Sequence, residues 1–326
     1  MYVPQTYFAA LTLLIVSMLW WGSWANIPKA LPRWRLEYFY LDFTFGFMLL
    51  ITLLGATLGS GGSPGLGFFT RLSEAGRSQF ASALLGGFLW NIGNVLTVVA
   101  IAIAGLAVAF PIVSVIAMLL GVGLSFWAQP IGNPAWLAAG VVVLVVAVIT
   151  NAAAYERLRQ SSETKKPRGG VGVAIVAGVL VGCFPPFVAR AISGPAALDS
   201  YAVSFYFMVG AMAATFLLIP ILLAHPLLGD KGTVRDYRRG SFAWHVLGMV
   251  SGGIWCFGTV ANFLSAKLVG VAISWGIGSS ASMVAALWGI FLWKEFANSG
   301  RSAKVLITAS LACYLAGVIG VAMALK

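Results

Sequence analysis

The sequence predicts an all-α integral membrane protein with ten transmembrane helices, and three observations support this. Of the 326 residues, 60% are hydrophobic and only 9% are charged. The mean hydropathy of +0.94 excludes an ordinary soluble domain. Apolar runs of about 20 residues recur along the chain, which is the length a helix needs to cross a hydrocarbon core of about 30 Å.

The ten predicted helices follow from these runs and from the polar, glycine and proline residues between them. They span residues 4–27, 37–59, 79–104, 107–128, 134–153, 171–193, 200–224, 241–266, 270–292 and 302–324. Helices three and four are separated by little more than Gly105, and eight and nine by Val269 and Gly270, so both pairs are expected to be tight hairpins. Because the first basic residue is Lys29, the first run lacks the charged start of a cleaved signal peptide and is expected to remain as a helix.

The basic residues predict the orientation of the chain. The formal net charge is +11, but most of the Lys and Arg residues lie between helices, so the positive-inside rule applies and nucleic acid is not an expected partner. Taken alternately, the loops on one side hold 15 of the 20 Lys and Arg residues, and those on the other side hold 5. We therefore expect both termini to face away from the cytoplasm of a cell membrane.

The chain also reads as two halves. The polar segment 155–170 resembles a basic, solvated cytoplasmic linker and separates five helices in 1–154 from five in 171–326. A shift of 165 residues aligns the following pairs: Gly87 with Gly252, Trp90 with Trp255, Gly93 with Gly258, Gly105 with Gly270, Ile112 with Ile277, and Phe126 with Phe291. Because five is odd, the second copy would enter the membrane inverted, as in many secondary transporters.

The same shift places uncharged polar residues at equivalent depths, with Asn94 over Thr259 and Thr97 over Asn262. Helix-breaking residues also correspond, because Pro111 falls on Gly276, and such pairs indicate a transporter's binding site. The first and sixth helices bring Trp24 and Phe184 to the same region. The candidate substrate-binding residues share an aromatic ring or an uncharged polar group, and they are Trp20, Trp21, Trp90, Asn91, Asn94, Thr97, Phe110, Trp255, Thr259, Asn262, Trp275 and Ser279. For any single member, a hydrogen bond between neighbouring helices is the alternative role.

The expected substrate class follows from the absence of charged residues near the middle of the predicted spans. No Asp, Glu, Lys or Arg falls near the predicted middle of any span, where an unpaired charge is costly. A carrier of cations would need a buried carboxylate, and a sugar-phosphate exchanger would need buried basic residues. A compact neutral solute is expected, either one that stacks, such as a nucleobase or ureide, or a sugar that lies against tryptophan by its C–H face. No cofactor is expected.

Two charged residues near span ends are candidates for proton coupling or gating. Asp42, about one turn into the second helix, is either a proton site or the partner of Arg33 or Arg35 at the cytoplasmic interface. Arg190, near the outer end of the sixth helix, is either a gate or a side chain that extends to the lipid headgroups.

Other polar residues at the span ends have simpler expected roles. We expect Glu295 to form an interfacial pair with its neighbour Lys294, and His225 and His245 to be solvated beside the basic 225–240 loop.

Several segments resemble the plant ureide permeases and their bacterial relatives within the drug/metabolite transporter superfamily. The most specific stretch is MYVPQTYFAALTLLIVSMLWWGSWANIPKALPRWRLEYFYLDFTFGF, which contains Tyr40-Leu41-Asp42-Phe43-Thr44. Further similarity covers GNVLTVVAIAIAGLAVAFPI, VSFYFMVGAM and WGIFLWKEF. The central loop is shorter than in the plant proteins.

The resemblance implies proton-coupled import of allantoin-like ureides and of nucleobases such as uracil. Rhamnose–proton symporters and glucose/ribose porters are related, so a sugar porter is the alternative, and export of another small metabolite is a further one. An intramembrane enzyme is not expected, because HExxH and GxGD motifs are absent from the sequence and neither histidine lies in the middle of a span near a nucleophile. A structural or receptor role has no distinguishing sequence feature.

Overall fold

The computed structural model of the chain describes residues 1–61, 67–159, 170–226 and 230–326. Those residues form fourteen helices: α1 Tyr7–Trp21, α2 Asn26–Ala30, α3 Leu36–Ala56, α4 Phe68–Ser73, α5 Arg77–Ala104, α6 Leu106–Ala128, α7 Pro134–Arg159, α8 Gly170–Ala191, α9 Ser200–Ala224, α10 Val234–Arg238, α11 Phe242–Val269, α12 Val271–Gly278, α13 Ala281–Phe291 and α14 Arg301–Met323. Much of the linker, including Lys165, Lys166 and Arg168 of the charge count, lies outside the described residues.

The ten predicted spans are confirmed as helices long and apolar enough to cross a membrane. Eight of the spans are single helices, whereas the first combines α1 with α2 and the ninth combines α12 with α13. Large apolar side chains cover the outside of the bundle, and Phe8, Trp127 and Phe242 are each more than 80% exposed. Lipid is the medium that suits such a surface, and the protein is an all-α multi-pass membrane protein.

Two spans are not the continuous helices that the sequence predicted. The first leaves the helix after Trp21, turns at residues 22–25 that begin with Gly22, and resumes at Asn26. The ninth breaks at Ser279 and Ser280, just after two glycines, which weaken a helix interior. The short helices α4 and α10 were also not predicted, because neither has a long apolar run.

The two halves of the chain cross each other through glycines. Helix α3 packs against α11, where a Cβ on Gly46 would overlap Met249 O and a Cβ on Gly252 would overlap Phe43 O. Helix α5 packs in the same way against α9: a Cβ on Gly87 would overlap Phe207 O, and a Cβ on Gly210 would overlap Leu84 O. Small residues let the helix backbones approach this closely, and these four glycines fix both crossings.

Both predicted tight hairpins are confirmed, and each turns on a single glycine. Gly105 joins α5 to α6 with φ 87° and ψ 156°, and Gly270 joins α11 to α12 with φ 84° and ψ 152°. Backbone with positive φ favours glycine, because a Cβ is strained there. The two junctions therefore share one geometry.

The short helices sit at opposite ends of the bundle and contact helices of the other half. Tyr206 in α9 donates a hydrogen bond of 2.6 Å to Leu72 O in α4. At the other end, Tyr38 in α3 donates one of 2.9 Å to Thr233 O, and Thr233 forms a capping box with Asp236 at the start of α10. Each short helix thus covers the first turns of a long helix from the other half.

Candidate solute-binding site

A cavity of about 160 Å³ lies at the centre of the bundle, between helices of both halves. Its walls are aromatic with a few uncharged polar groups, and they comprise Trp21, Trp24, Trp90, Asn94, Phe184, Phe207, Trp255, Thr259, Phe263 and Trp275. No charged side chain is among these lining residues. The volume is below the range of roughly 300–1,000 Å³ typical of sites for drug-sized ligands, so the cavity suits a compact solute.

Two tryptophans that the 165-residue shift aligns form one wall of the cavity. The rings of Trp90 on α5 and Trp255 on α11 are stacked, with centroids 4.3 Å apart and planes 22° apart. Phe207 continues this wall, 5.9 Å from Trp90 between ring centroids. The wall therefore presents flat π surfaces contributed by both halves of the chain.

The opposite side of the cavity is built from edge-to-face aromatic contacts. Trp275 lies between Trp21, at 6.1 Å, and Phe184, at 4.9 Å, measured between ring centroids. The Trp275 indole donates to Ala117 O, and the Trp21 indole donates 3.0 Å to the Thr259 hydroxyl. These hydrogen bonds fix the ring orientations, so the aromatic surface is preformed.

Several polar groups at the cavity have no partner among the described residues. Asn94 uses its Nδ2 to donate to the Tyr40 hydroxyl, and its Oδ1 accepts from no described residue. The indole N–H groups of Trp24, Trp90 and Trp255 likewise donate to no described residue. One amide acceptor and three indole donors on lining residues thus have no protein partner among the described residues.

Tyr40, which bonds to Asn94, lies at a second pocket. It lines a larger pocket of about 430 Å³ on the side of the basic loops, together with Trp34, Arg35 and residues from the C-terminal halves of α5 and α9. Its hydrogen bond with Asn94 therefore lies between this pocket and the central cavity. A second basic-side pocket of about 290 Å³ lies between the ends of α2, α7 and α13.

Six of the twelve candidate substrate-binding residues line the central cavity: Trp21, Trp90, Asn94, Trp255, Thr259 and Trp275. The cavity also contains Trp24 and Phe184, which the sequence brought to the same region. Phe207 and Phe263 were not predicted, since a single phenylalanine in an apolar run gives no sequence signal.

Three of the other candidates instead bond to the protein itself. Asn91 Nδ2 donates to Ala211 O at 2.6 Å and to the Thr215 hydroxyl at 2.8 Å, which ties α5 to α9. Asn262 Nδ2 donates 3.0 Å to Ser274 O and ties α11 to α12. Thr97 bonds to Gly93 O within its own helix. For these side chains the alternative structural role fits the observed contacts.

The remaining three candidates also lie away from the cavity. Trp20 is 37% exposed on the outer surface and packs on Phe257. Phe110 lines the second basic-side pocket. Ser279 donates to Trp275 O one turn back in its own helix, at the break between α12 and α13.

The expected partners of the charged residues need correction. Asp42 does not pair with Arg33 or Arg35, because it is buried among aromatic side chains, and Arg35 pairs with Glu37 at 3.0 Å. His245 was expected to be solvated, but its Nδ1 lies 2.8 Å from Asp42 Oδ1.

Two further expectations concern residues at the span ends. Glu295 pairs with Lys29 and accepts from the Tyr155 hydroxyl, not from Lys294. Arg190 is exposed and donates 3.2 Å to the Ser78 hydroxyl, so it does not reach the cavity.

Comparison with known proteins gives relatives along nearly the whole chain. No family model matches. Ureide permease 1 and ureide permease 2 of Arabidopsis thaliana are each 23% identical, and each alignment covers 98% of this chain and 97% of the relative. Ureide permease 3 of the same plant is 27% identical over 51% of this chain.

A solved structure supports the fold. A protein crystal structure superposes with a TM-score of 0.61 at 16% identity, covering 95% of this chain and 96% of the other. At that identity the likeness establishes the helical arrangement alone.

Proposed function

We propose that the protein is a secondary active transporter of the ureide permease type, which takes up a small neutral nitrogenous solute by proton-coupled alternating access. The solute class is a ureide such as allantoin or a nucleobase such as uracil. The observation that carries the proposal is the uncharged central cavity, with its stacked Trp90–Trp255 pair and its free amide oxygen on Asn94.

The chemistry of the cavity supports a flat solute with several hydrogen-bonding groups. A planar ring between π surfaces gains dispersion and stacking energy, which is worth about 1–3 kcal/mol per nucleobase in other proteins. The indole donors meet C=O groups and Asn94 Oδ1 meets an N–H group. An ionised solute would lose its hydration without finding a counter-charge among the lining residues.

The relatives support the same class of activity. Ureide permeases align over nearly the whole length of this chain, and they are permeases rather than enzymes. A wider kinship with the drug/metabolite transporter superfamily is part of the proposal.

We further propose that the halves 1–154 and 171–326 are inverted repeats joined by the linker. Helices α5 and α11 support this, because both have 28 residues and their bounds are 165 residues apart. The equal geometry of Gly105 and Gly270 and the two matching glycine crossings add to the support. In such carriers the two halves rock about a site near the bilayer midplane, where this cavity would lie.

The proposed orientation places the basic loops in the cytoplasm and both termini outside a cell membrane. The two basic-side pockets would then be vestibules open to the cytoplasm, and the Tyr40–Asn94 hydrogen bond would separate one of them from the solute. Inward proton flow would drive accumulation. A cytoplasm-only signal from a reporter fused after Lys326 would contradict this orientation.

A sugar porter is the second candidate, because tryptophan faces also bind the C–H faces of sugars. The first experiment is thermal stabilisation of the purified protein by allantoin, uracil, xanthine, rhamnose, glucose and ribose, since a ligand that binds only the folded state raises Tm. We expect shifts with ureides or nucleobases. A shift with sugars alone would reassign the protein to the sugar porters.

Uptake into proteoliposomes then tests transport itself. Reconstituted protein with an inward proton gradient should accumulate the stabilising solute, and a protonophore should abolish the accumulation. The control variant is Trp127→Ala, whose side chain is 85% exposed on the outer surface. Stabilisation without flux would indicate a receptor.

A further inference from the structure

A buried carboxylate with three hydrogen-bond donors lies at the basic-loop end of the bundle. The Asp42 side chain on α3 is only 2% exposed. Its Oδ2 accepts from Trp34 Nε1 at 3.0 Å, and its Oδ1 accepts from the Tyr237 hydroxyl at 2.6 Å. His245 Nδ1 on α11 lies 2.8 Å from the same Oδ1. One carboxylate therefore holds together α3, the segment before it, α10 and α11.

The histidine is more exposed than the carboxylate that it contacts. Its side chain is 22% exposed, about ten times the exposed fraction of Asp42. Its Nε2 lies beside Gly240, where an added Cβ would stand 2.9 Å away. The absence of a side chain there leaves Nε2 room, so the imidazole, and not the sealed carboxylate, is the group of this pair from which a proton can leave to the basic side.

Other charged groups on the surrounding elements have partners elsewhere. Arg35 binds Glu37 and Asp230 O. Asp236 on α10 accepts from Thr233, and Lys29 on α2 pairs with Glu295. Arg235, Arg238 and Arg239, which are exposed on α10 and its cap, form no ion pair with Asp42.

The hydroxyl of Tyr237 belongs to the same cluster. Burial, with the hydrogen bond to Asp42, raises the pKa of Tyr237, so its hydroxyl remains a donor at neutral pH. Histidine is the residue type in this cluster that commonly accepts and releases protons in proteins.

At the opposite end of the bundle, the positions that correspond to Asp42 and His245 hold neither a carboxylate nor an imidazole. A shift of 164 residues takes Asp42 to Tyr206, and a shift of 165 takes Phe80 to His245. Phe80 and Tyr206 form an edge-to-face contact with centroids 4.7 Å apart. The carboxylate–imidazole pair therefore has no counterpart at these two positions, and the ion pair at that end, Arg71–Asp199, instead joins α4 to the start of α9.

We propose that Asp42 and His245 together form the proton-binding site of the carrier. This inference rests on the proposed function and names His245 as a member of the coupling site. The Nε2 lone pair takes the proton and no other bond breaks, which leaves an imidazolium paired with the carboxylate. The charged pair tightens the contact between α3 and α11, and release of the proton to the basic side weakens it. Proton release is thereby linked to opening of the basic side, as import requires.

The test measures opening with a reporter thiol, so it does not depend on knowing the solute. Cys183, Cys256 and Cys313 are replaced by alanine, and Val99→Cys is introduced in the basic-side pocket that Tyr40 lines. Its rate of modification by a polar thiol reagent is divided by the rate for exposed Asn298→Cys, which removes the pH dependence of the thiol itself. The ratio is followed from pH 6 to 8.

We expect the ratio to rise about tenfold with pH in the parent, because loss of the proton from the Asp42–His245 pair would open the basic side. His245→Gln should hold the ratio within about twofold. Asp42→Asn should do the same, and if it does not fold, His245→Gln still decides. The chain has only two histidines, so His225→Gln is the matched control and should follow the parent.

Two outcomes would overturn the proposal: an unchanged pH profile in His245→Gln, or a flat ratio in the parent. Solute uptake is measured in parallel and tests the proposed transport function. If the parent accumulates none of the panel solutes while the ratio responds to pH through His245, the proposed function fails and the proton site stands. If uptake is driven by protons in both the parent and His245→Gln, the function stands and the proton site fails.

Discussion

The indole rings of Trp90 and Trp255 stack 4.3 Å apart across the boundary between the two halves of the chain. Each tryptophan comes from a long helix that carries a crossing glycine three residues earlier, Gly87 before Trp90 and Gly252 before Trp255. The position of the stacked pair therefore depends on how the halves pack, and any rocking between them changes the cavity wall.

Replacing either stacked tryptophan should weaken solute binding. We expect Trp90→Ala and Trp255→Ala each to raise Kd about ten- to a hundredfold, because a lost stacking contact costs about 1–3 kcal/mol. Calorimetric titration or ligand-induced Tm shifts measure this. Trp127→Ala serves as the control. Parent affinity in both variants would remove the stack from the site.

Replacing Asn94 and replacing Asn262 should have different effects on solute binding, although the sequence placed both residues in the candidate site. Asn94→Ala is expected to raise Kd about fivefold, through loss of roughly 1 kcal/mol of hydrogen bonding to the solute. Asn262→Ala should leave Kd within about twofold and lower the stability by about 0.6 kcal/mol, because it loses an interhelical bond to Ser274 O. Equal loss of affinity in both variants would contradict this assignment.

A methyl group at the α5–α9 crossing should prevent normal packing. Gly87→Ala would place a Cβ on Phe207 O, and we expect a loss of about 1–3 kcal/mol or failure to fold. The matched control is Gly123→Ala, because no atom lies within 4 Å of a Cβ there. Thermal unfolding in detergent compares the two. A Gly87→Ala variant as stable as the control would mean that the crossing is loose.

Asp199 has two roles that one pair of variants can separate. Its Oδ1 caps α9 by accepting from Tyr201 N and Ala202 N, and its Oδ2 pairs with Arg71 at 2.8 Å. Asp199→Asn keeps a good helix cap and loses the charge, whereas Asp199→Ala loses both. We expect alanine to lower the stability about 1 kcal/mol further than asparagine. Equal values would mean that the cap contributes nothing measurable.

The sequence predicted the ten spans because each is a long apolar run, and it predicted the hairpins because one glycine separates the helices. It also grouped Trp90 with Trp255 and Asn94 with Thr259, because the predicted repeat aligns these pairs. The central cavity contains all four.

It was harder to predict which neighbouring helix each polar side chain contacts. Asn91 and Asn94 lie about one turn apart on α5, but α5 is surrounded by α6, α8 and α9, so each face meets a different partner. Asn91 meets α9 and Asn94 meets Tyr40. The partner of His245 was missed for a related reason: His245 lies in the first turn of α11, beside a basic loop that suggested solvation, and its partner Asp42 lies 203 residues away.

The single-residue junctions at Gly105 and Gly270 have a mechanical consequence. Two helices joined by one residue cannot move far apart at the junction. A tilt of α5 must therefore move the start of α6, and a tilt of α11 must move the start of α12. Inserting one residue at Gly270 would turn α12 by about 100° and take Trp275 out of the cavity wall. The two helices of each hairpin therefore move together. An insertion or deletion at the junction would require new packing contacts along both helices.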